Sequence, residues 1–199
     1  MDDDPATEIL EATYRALCDR GYADVTLGDI AAEADTSKGL IHYYYDDKET
    51  LFAEFLDFLY DRYTARIESV EGETARERLA GLFETVLTDE GSATGEQLRT
   101  AMLEVNAQAP YDEAIRARLA RFDDLLYERV RSAIADGIEA GEFDDEVDPA
   151  VAAEFFVTAI YGAHARRAAA DRSPDRLADV MTRYAERHLV ADGPTEVPS

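Results

Sequence analysis

Apolar residues recur at three- and four-residue steps along nearly the whole chain, and they nowhere alternate over a sustained run. That periodicity predicts helices without sheet: an all-α fold of about nine helices. The first is expected over residues 5–20, where Ile9, Leu10, Tyr14, Leu17 and Cys18 form one stripe that Gly21 ends. Thr26, with Asp29 three residues on, reads as the start of a short second helix facing inward through Leu27, Ile30, Ala31 and Ala34. Ala34, Asp35 and Thr36 form a turn, and Thr36 or Ser37 caps a third helix reaching about Tyr44. A fourth, over 47–70, carries Leu51, Phe52, Phe55, Leu56, Phe58, Leu59, Tyr63 and Ile67. That face is wider than a three-helix module needs, so the helix is expected to bridge into a second domain. Further helices are expected over 74–88, up to 109 before Pro110, and over 112–140 with Gly141 as the residue just beyond the end. Two more begin at Asp148-Pro149 and Ser173-Pro174, each a cap followed by a first-turn proline. Residues 89–95 read as the clearest loop and 192–199 as a loose tail.

Composition complicates this picture before it helps. The chain carries 44 Asp and Glu in 199 residues and a net charge of −24, which by itself argues against nucleic acid, because phosphate contacts need Lys and Arg. The acid, however, is spread along the chain, and arginine outnumbers lysine 18 to 2. Diffuse acidity with few lysines resembles proteins of halophilic cells that accumulate molar salt. At about 1 M salt the Debye length is roughly 3 Å, so an acidic body hardly repels DNA beyond direct contact. Function is then sought in the local exceptions. Residues 36–45 contain no acid, and both lysines, Lys38 and Lys48, fall within 26–48. No apolar run reaches membrane-spanning length, and the acidic N-terminus lacks the apolar stretch of a signal peptide. The single cysteine, Cys18, excludes an internal disulfide and fits a reducing cytoplasm; it is read as a small core residue.

Two short helices with a tight turn fit a helix-turn-helix, whose second helix enters the DNA major groove. The residue types on that second helix (Ser, Lys, Gly, His and Tyr) suit phosphates and base edges. Here the sequence resembles the TetR family of transcriptional regulators: Thr26, Ile30, Ala31, Ala34, Ser37, Gly39, Ile41, Tyr44, Tyr45, Lys48, Glu49 and Leu51 fall in register with the family pattern. The usual Gly-Val of the turn is Asp35-Thr36, the usual phosphate-binding tyrosine is His42, and the common Thr or Ala is Leu40. Asp tolerates a left-handed turn conformation. The resemblance implies DNA contacts from Thr26, Ser37, Lys38, Gly39, Leu40, His42, Tyr43, Tyr44 and Lys48. Lys38, Leu40 and Tyr43 would face base edges, while Thr26, His42, Tyr44 and Lys48 would hold the backbone and Ile41 and Tyr45 would pack inward. It also implies a division into a helix-turn-helix DNA-binding domain, residues 1–50, and a helical ligand-binding and dimerisation domain, residues 51–191.

The longest acid-free run in the second half is 155–170. Its small residues allow close helix approach, within one subunit or against a second copy. The resemblance favours the second copy and places Phe155, Phe156, Ala159, Ile160, Ala163, Arg167, Leu177, Met181 and Tyr184 at a dimer interface. It also implies a small-molecule pocket, for which Met102, Asn106, Tyr127, Tyr161 and His164 are the polar or adaptable candidates on apolar faces. Each is equally readable as a satisfied core residue. No catalytic signature occurs: the three histidines are dispersed, and there is no cysteine cluster, nucleophile elbow or phosphate loop. Nothing in the sequence requires a cofactor or a metal. The expected function is a DNA-binding regulator, a ligand-released repressor acting as a homodimer on a near-palindromic operator. The alternative is a helical ligand-binding or adaptor protein that does not bind DNA.

Overall fold

The computed structural model describes residues 4–88, 93–170 and 174–190. Within them are nine α-helices and no strand: α1 (Pro5–Asp24), α2 (Leu27–Glu33), α3 (Lys38–Tyr44), α4 (Lys48–Glu68), α5 (Ala75–Leu87), α6 (Ala93–Gln108), α7 (Glu113–Glu139), α8 (Pro149–Ala170) and α9 (Asp175–His188). Helix α6 starts inside the stretch expected as loop. Of the two Asx/Ser-Pro signals, the first holds, with Asp148 Oδ1 accepting from the N–H groups of Ala150 and Val151. At the second, Pro174 is itself the cap, without a side-chain hydrogen bond, and the helix begins at Asp175; Ser173 and residues 191–199 lie outside the described residues. Gly21 does not end α1 but kinks it, and the helix resumes for three residues. Cys18 is only half-buried; burial nevertheless pushes its thiol up to about 11.

The described residues fall into two compact units. The first comprises those within Met1–Tyr63 and Asp89–Phe122, the second those within Thr64–Thr88 and Asp123–Ser199. The chain crosses from one to the other within α4 and within α7. A division at residue 50 would assign α6 to the second domain, whereas its packing along α1 places it in the first unit. The core of that unit is the predicted stripe of α1 and the inner faces of α2 to α4: Ile9, Leu17, Ile30, Ile41, Tyr45, Leu51, Phe52 and Phe55, joined by Ala101 of α6. Each fully buried Leu, Ile or Phe contributes about 1.5–3 kcal/mol relative to exposure, so the short helices α2 and α3 owe their order to this core rather than to propensity.

The second unit is built on α5, α7, α8 and α9. Leu79 and Phe83 of α5, Val130 and Ile134 of α7, Phe156 and Ile160 of α8, and Met181 and Ala185 of α9 are buried, with the Phe83 and Phe156 rings 4.8 Å apart. Thr74 and Glu77 form a capping box at the start of α5. Glu142, from the turn after α7, accepts from the N–H groups of Ala75 (3.1 Å) and Arg76 (3.2 Å) at the same helix end. That turn is a Schellman motif: Glu142 N–H donates to Gly137 O, Gly141 N–H donates to Ile138 O, and Gly141 has φ +71°.

Candidate nucleic-acid interface

The corner between α2 and α3 is set by three local devices. Thr26 and Asp29 exchange hydrogen bonds at the start of α2. The Asp29 N–H donates to Thr26 Oγ1 (3.3 Å), and the Thr26 N–H (3.0 Å) and hydroxyl (2.6 Å) donate to Asp29 Oδ2. The hydrogen bonds from Thr26 hold the Asp29 carboxyl below its usual range, with smaller help from Arg20 and Lys38. At the other end of α2, Thr36 N–H donates to Ala31 O (2.9 Å) and Asp35 N–H to Ala32 O (3.3 Å). This is again a Schellman motif, with Asp35 at φ +48° in the left-handed position normally given to glycine. Ser37 then caps α3, accepting from the Leu40 N–H at 3.2 Å.

These devices present one side of α3 to solvent. Ile41 and Tyr45 are buried, as expected, and Ser37, Lys38, Gly39, Leu40, His42, Tyr43 and Tyr44 are exposed. Tyr43 keeps 80% of its surface exposed and stands edge-on to Tyr44, with ring centroids 5.2 Å apart. A β-carbon at Gly39 would meet only Ser37 Oγ, at 3.6 Å, so a flat approach to the helix is open there. The lysine of this face is not extended: its stem crosses α2, where a β-carbon at Gly28 would lie 2.8 Å from Lys38 Cε. A glycine opposite the face's only lysine was the sequence signal for this, and it went unread.

Two of the expected contact residues also make bonds within the unit. Lys48 turns inward, donating to the Tyr22 carbonyl at 2.9 Å with its ammonium 4.8 Å above the Tyr22 ring and 5.5 Å above that of Phe52. Burial lowers its proton affinity. At the start of α4 it thus lies against the Tyr22 carbonyl of α1 and two ring faces of the first unit. Thr26 donates its hydroxyl proton to Asp29 and so serves as the cap of α2.

The expected pocket residues are divided between the two units. Met102 packs in the core of the first unit, and Asn106 is exposed, its amide donating to Met102 O at 2.7 Å. Tyr127, Tyr161 and His164 belong to the second unit and are partly exposed. Burial of its hydroxyl end, aided by Asp123 and Asp124, pushes Tyr161 above the usual tyrosine range, although 41% of the residue stays exposed. A small cavity of about 140 Å³ does open in the second unit between α5 and α9, lined by Leu79, Ala80, Phe83, Phe143 and Ala185. None of the expected residues lines it. The expected dimer residues divide as well. Phe156, Ile160, Ala163 and Met181 are buried within the chain itself and are not available to a partner. Ala159, Arg167 and Leu177 are half-buried, while Phe155 (52% exposed) and Tyr184 (42%) stack at 5.2 Å on the surface, with Val151 and Val180 also exposed. Spacing cannot separate an inner from an outer face on a helix apolar nearly all round, and the resemblance names the helices that pair rather than the face that each residue takes.

A model of bacterial regulatory proteins of the tetR family matches residues 9–55, and a model of the C-terminal part of BetI-type transcriptional repressors matches residues 75–190. The chain belongs to the TetR family of transcriptional regulators. Among solved structures, a TetR transcription regulator from Haloarcula marismortui is 36% identical over 94% of this chain and 98% of its own, with a TM-score of 0.87. A transcriptional regulator from Saccharomonospora viridis, solved in complex with choline, is 26% identical, with the same coverage and a TM-score of 0.79. The transcriptional repressor AcnR of Corynebacterium glutamicum is 26% identical over 87% of each chain. As a TetR regulator the chain has a DNA-binding N-terminal part and a ligand-binding C-terminal part, and the adaptor reading is not favoured. TetR regulators bind operator DNA and small-molecule effectors and act as dimers. No helix among the described residues is long and apolar enough to cross a membrane.

Proposed function

We propose that this TetR regulator is a cytoplasmic repressor without catalytic activity. It binds a near-palindromic operator as a homodimer and lets go when a small cation of the quaternary-ammonium class binds its second half. The observation that carries the DNA reading is the solvent face of α3: acid-free, aromatic and bearing Lys38 on a helix fixed by Ser37 and Asp35. Base edges fall to Lys38, Leu40 and Tyr43, and the backbone to Ser37, His42 and Tyr44. The functional division is residues 1–50 for reading and 51–191 for ligand and dimer. The dimer contact uses the exposed Val151, Phe155, Val180 and Tyr184, joined by Ala159, Arg167 and Leu177.

The effector class is supported by the likeness to the regulator solved with choline and by the BetI-type match. It also agrees with the chemistry of each unit. In the first, the Tyr60 and Tyr63 rings flank Phe122, and Tyr60 already carries the Arg121 guanidinium 4.0 Å from its centroid. In the second, Tyr161 lies near the carboxylates of Asp123 and Asp124. Aromatic faces and carboxylates favour cations. The test is a selection of duplexes from a random pool in molar KCl, followed by anisotropy titration with and without choline. Enrichment of a two-fold-symmetric site, released by choline, is expected. No enriched site at any salt would sink the DNA reading; a site indifferent to choline would sink only the effector class.

A further inference from the structure

Helix α1 breaks at Gly21, with φ +78° and ψ 169°. The break frees two consecutive N–H groups, those of Tyr22 and Ala23, and both donate to one oxygen of Glu104 on α6, at 2.7 and 3.1 Å. Successive N–H groups beyond such a residue make a concave anion site, and here the anion is a side chain of the same unit. The two partners are matched. A β-carbon at position 21 would lie 2.9 Å from both Glu104 oxygens, and the positive φ already disfavours any L side chain.

The same corner is held from a second direction. The Tyr22 carbonyl accepts from Lys48, the first residue of α4 and three residues past Tyr45, which ends α3. The Tyr22 ring meets Phe52 of α4 edge-on at 4.7 Å. Tyr22 is therefore gripped by its N–H from α6 and by its carbonyl from the start of α4, four residues past Tyr44, the last helical residue of the reading helix. The neighbours of Glu104 on α6, Ala101 and Val105, are buried and apolar. Such contacts tolerate sliding, whereas two directed hydrogen bonds to one carboxylate fix a register.

We propose that Glu104 is a positioning residue for DNA reading: it sets α1 on α6 and, through Tyr22 and Lys48, the orientation of α3. This rests on the reading of the protein as a dimer on two half-sites. The experiment uses the full chain in molar KCl with the selected operator and variants whose half-sites are moved one base pair closer or farther apart. Glu104→Gln keeps an acceptor oxygen at the same reach and is expected to retain the wild-type spacing preference. Glu104→Leu has similar bulk and no acceptor. It is expected to flatten that preference about tenfold, a size common for couplings between sites, while affinity for an isolated half-site is unchanged. Gly21→Ala should reproduce the Leu phenotype, and the double variant should be no worse than either alone. A wild-type spacing preference in Glu104→Leu overturns the proposal, as does an equal loss on half-site and full site, which marks a purely structural role. If Glu104→Leu does not fold, Gly21→Ala decides by the same two criteria. Absence of any specific operator for the wild type instead refutes the dimer-operator reading itself.

Discussion

Asp35 stands where a helix C-terminus normally uses glycine, at φ +48° with both Schellman hydrogen bonds made. Left-handed backbone costs about 1–2 kcal/mol for an L-residue, less for Asp, whose short polar side chain bonds locally. Asp35→Gly should therefore leave stability within about 1 kcal/mol of wild type or raise it, and Asp35→Val should lower it by more than about 1 kcal/mol. Guanidinium unfolding in molar KCl measures both. Lys48 is the second informative residue. Its hydrogen bond to the Tyr22 carbonyl and its two ring contacts offset only part of the burial that lowers its proton affinity. Lys48→Met keeps the stem and loses the ammonium, so a loss of about 1–2 kcal/mol in unfolding free energy is expected. Lys38 differs, because its ammonium is exposed and faces no core. Lys38→Ala should leave the unfolding curve unmoved and lower discrimination among operator variants by about 1–3 kcal/mol at one base position, read by competitive titration.

At the scale of elements, helix ends and one glycine carry more than propensity does. Gly137 lies in the last turn of α7 with helical backbone, where Gly→Ala ordinarily gains up to about 1 kcal/mol. Here a β-carbon would fall 2.2 Å from Phe143 Cδ2, which closes the turn onto the helix. Overpacking of that kind costs about 1–3 kcal/mol, so Gly137→Ala should be net destabilising in thermal unfolding. The caps also set the acid limit. Hydrogen bonds hold the carboxyls of Asp29 (from Thr26), Asp47 (from Thr50 N–H) and Glu142 (from Ala75 N–H) below their usual values. A depressed folded-state value contributes stability above the unfolded value and loses it as pH falls through the folded one. Stability should thus decline below about pH 4. Glu142→Gln should shrink the difference between unfolding midpoints at pH 6 and pH 3; an unchanged difference would show that α5 does not depend on this charge.

For the whole molecule the question is how so acidic a chain reads DNA. Even residues 1–50 hold thirteen acids against four bases, and the α3 face offers one lysine. With so few cationic contacts the counterion-release slope must be shallow, since each neutralised phosphate adds about −0.9 to it. With one such lysine on each of two protomers, specific affinity is expected to fall no more than about twentyfold between 0.2 and 1 M KCl in anisotropy titrations. Complete loss by about 0.5 M would contradict adaptation to salt. The exposed Phe155–Tyr184 stack gives the matching prediction for assembly. Phe155→Glu should yield monomers by light scattering and lose full-site binding while α-helicity persists, because the ring is half-exposed and lies on the outer side of Phe156 rather than within the buried core.

The sequence alone determined the all-helical fold, the boundaries of most helices, the helix-turn-helix and the inward turn of Ile41 and Tyr45. All of these follow from information local in the chain: periodicity, caps and turn residues act within a few positions. The α3 surface was legible for the same reason, as a gap in the acid beside a glycine and a lysine. What only tertiary structure decided depends on which groups meet across the chain. That Lys48 bonds the Tyr22 carbonyl, 26 residues away, cannot be read from its neighbours in the chain. Phe156, Ile160 and Ala163 of α8 and Met181 of α9 read as a partner surface from spacing and resemblance, and only the packing of the second unit shows them buried within the chain itself. Gly21 reads as a helix stop until Glu104, 83 positions on, fills the concavity that it opens.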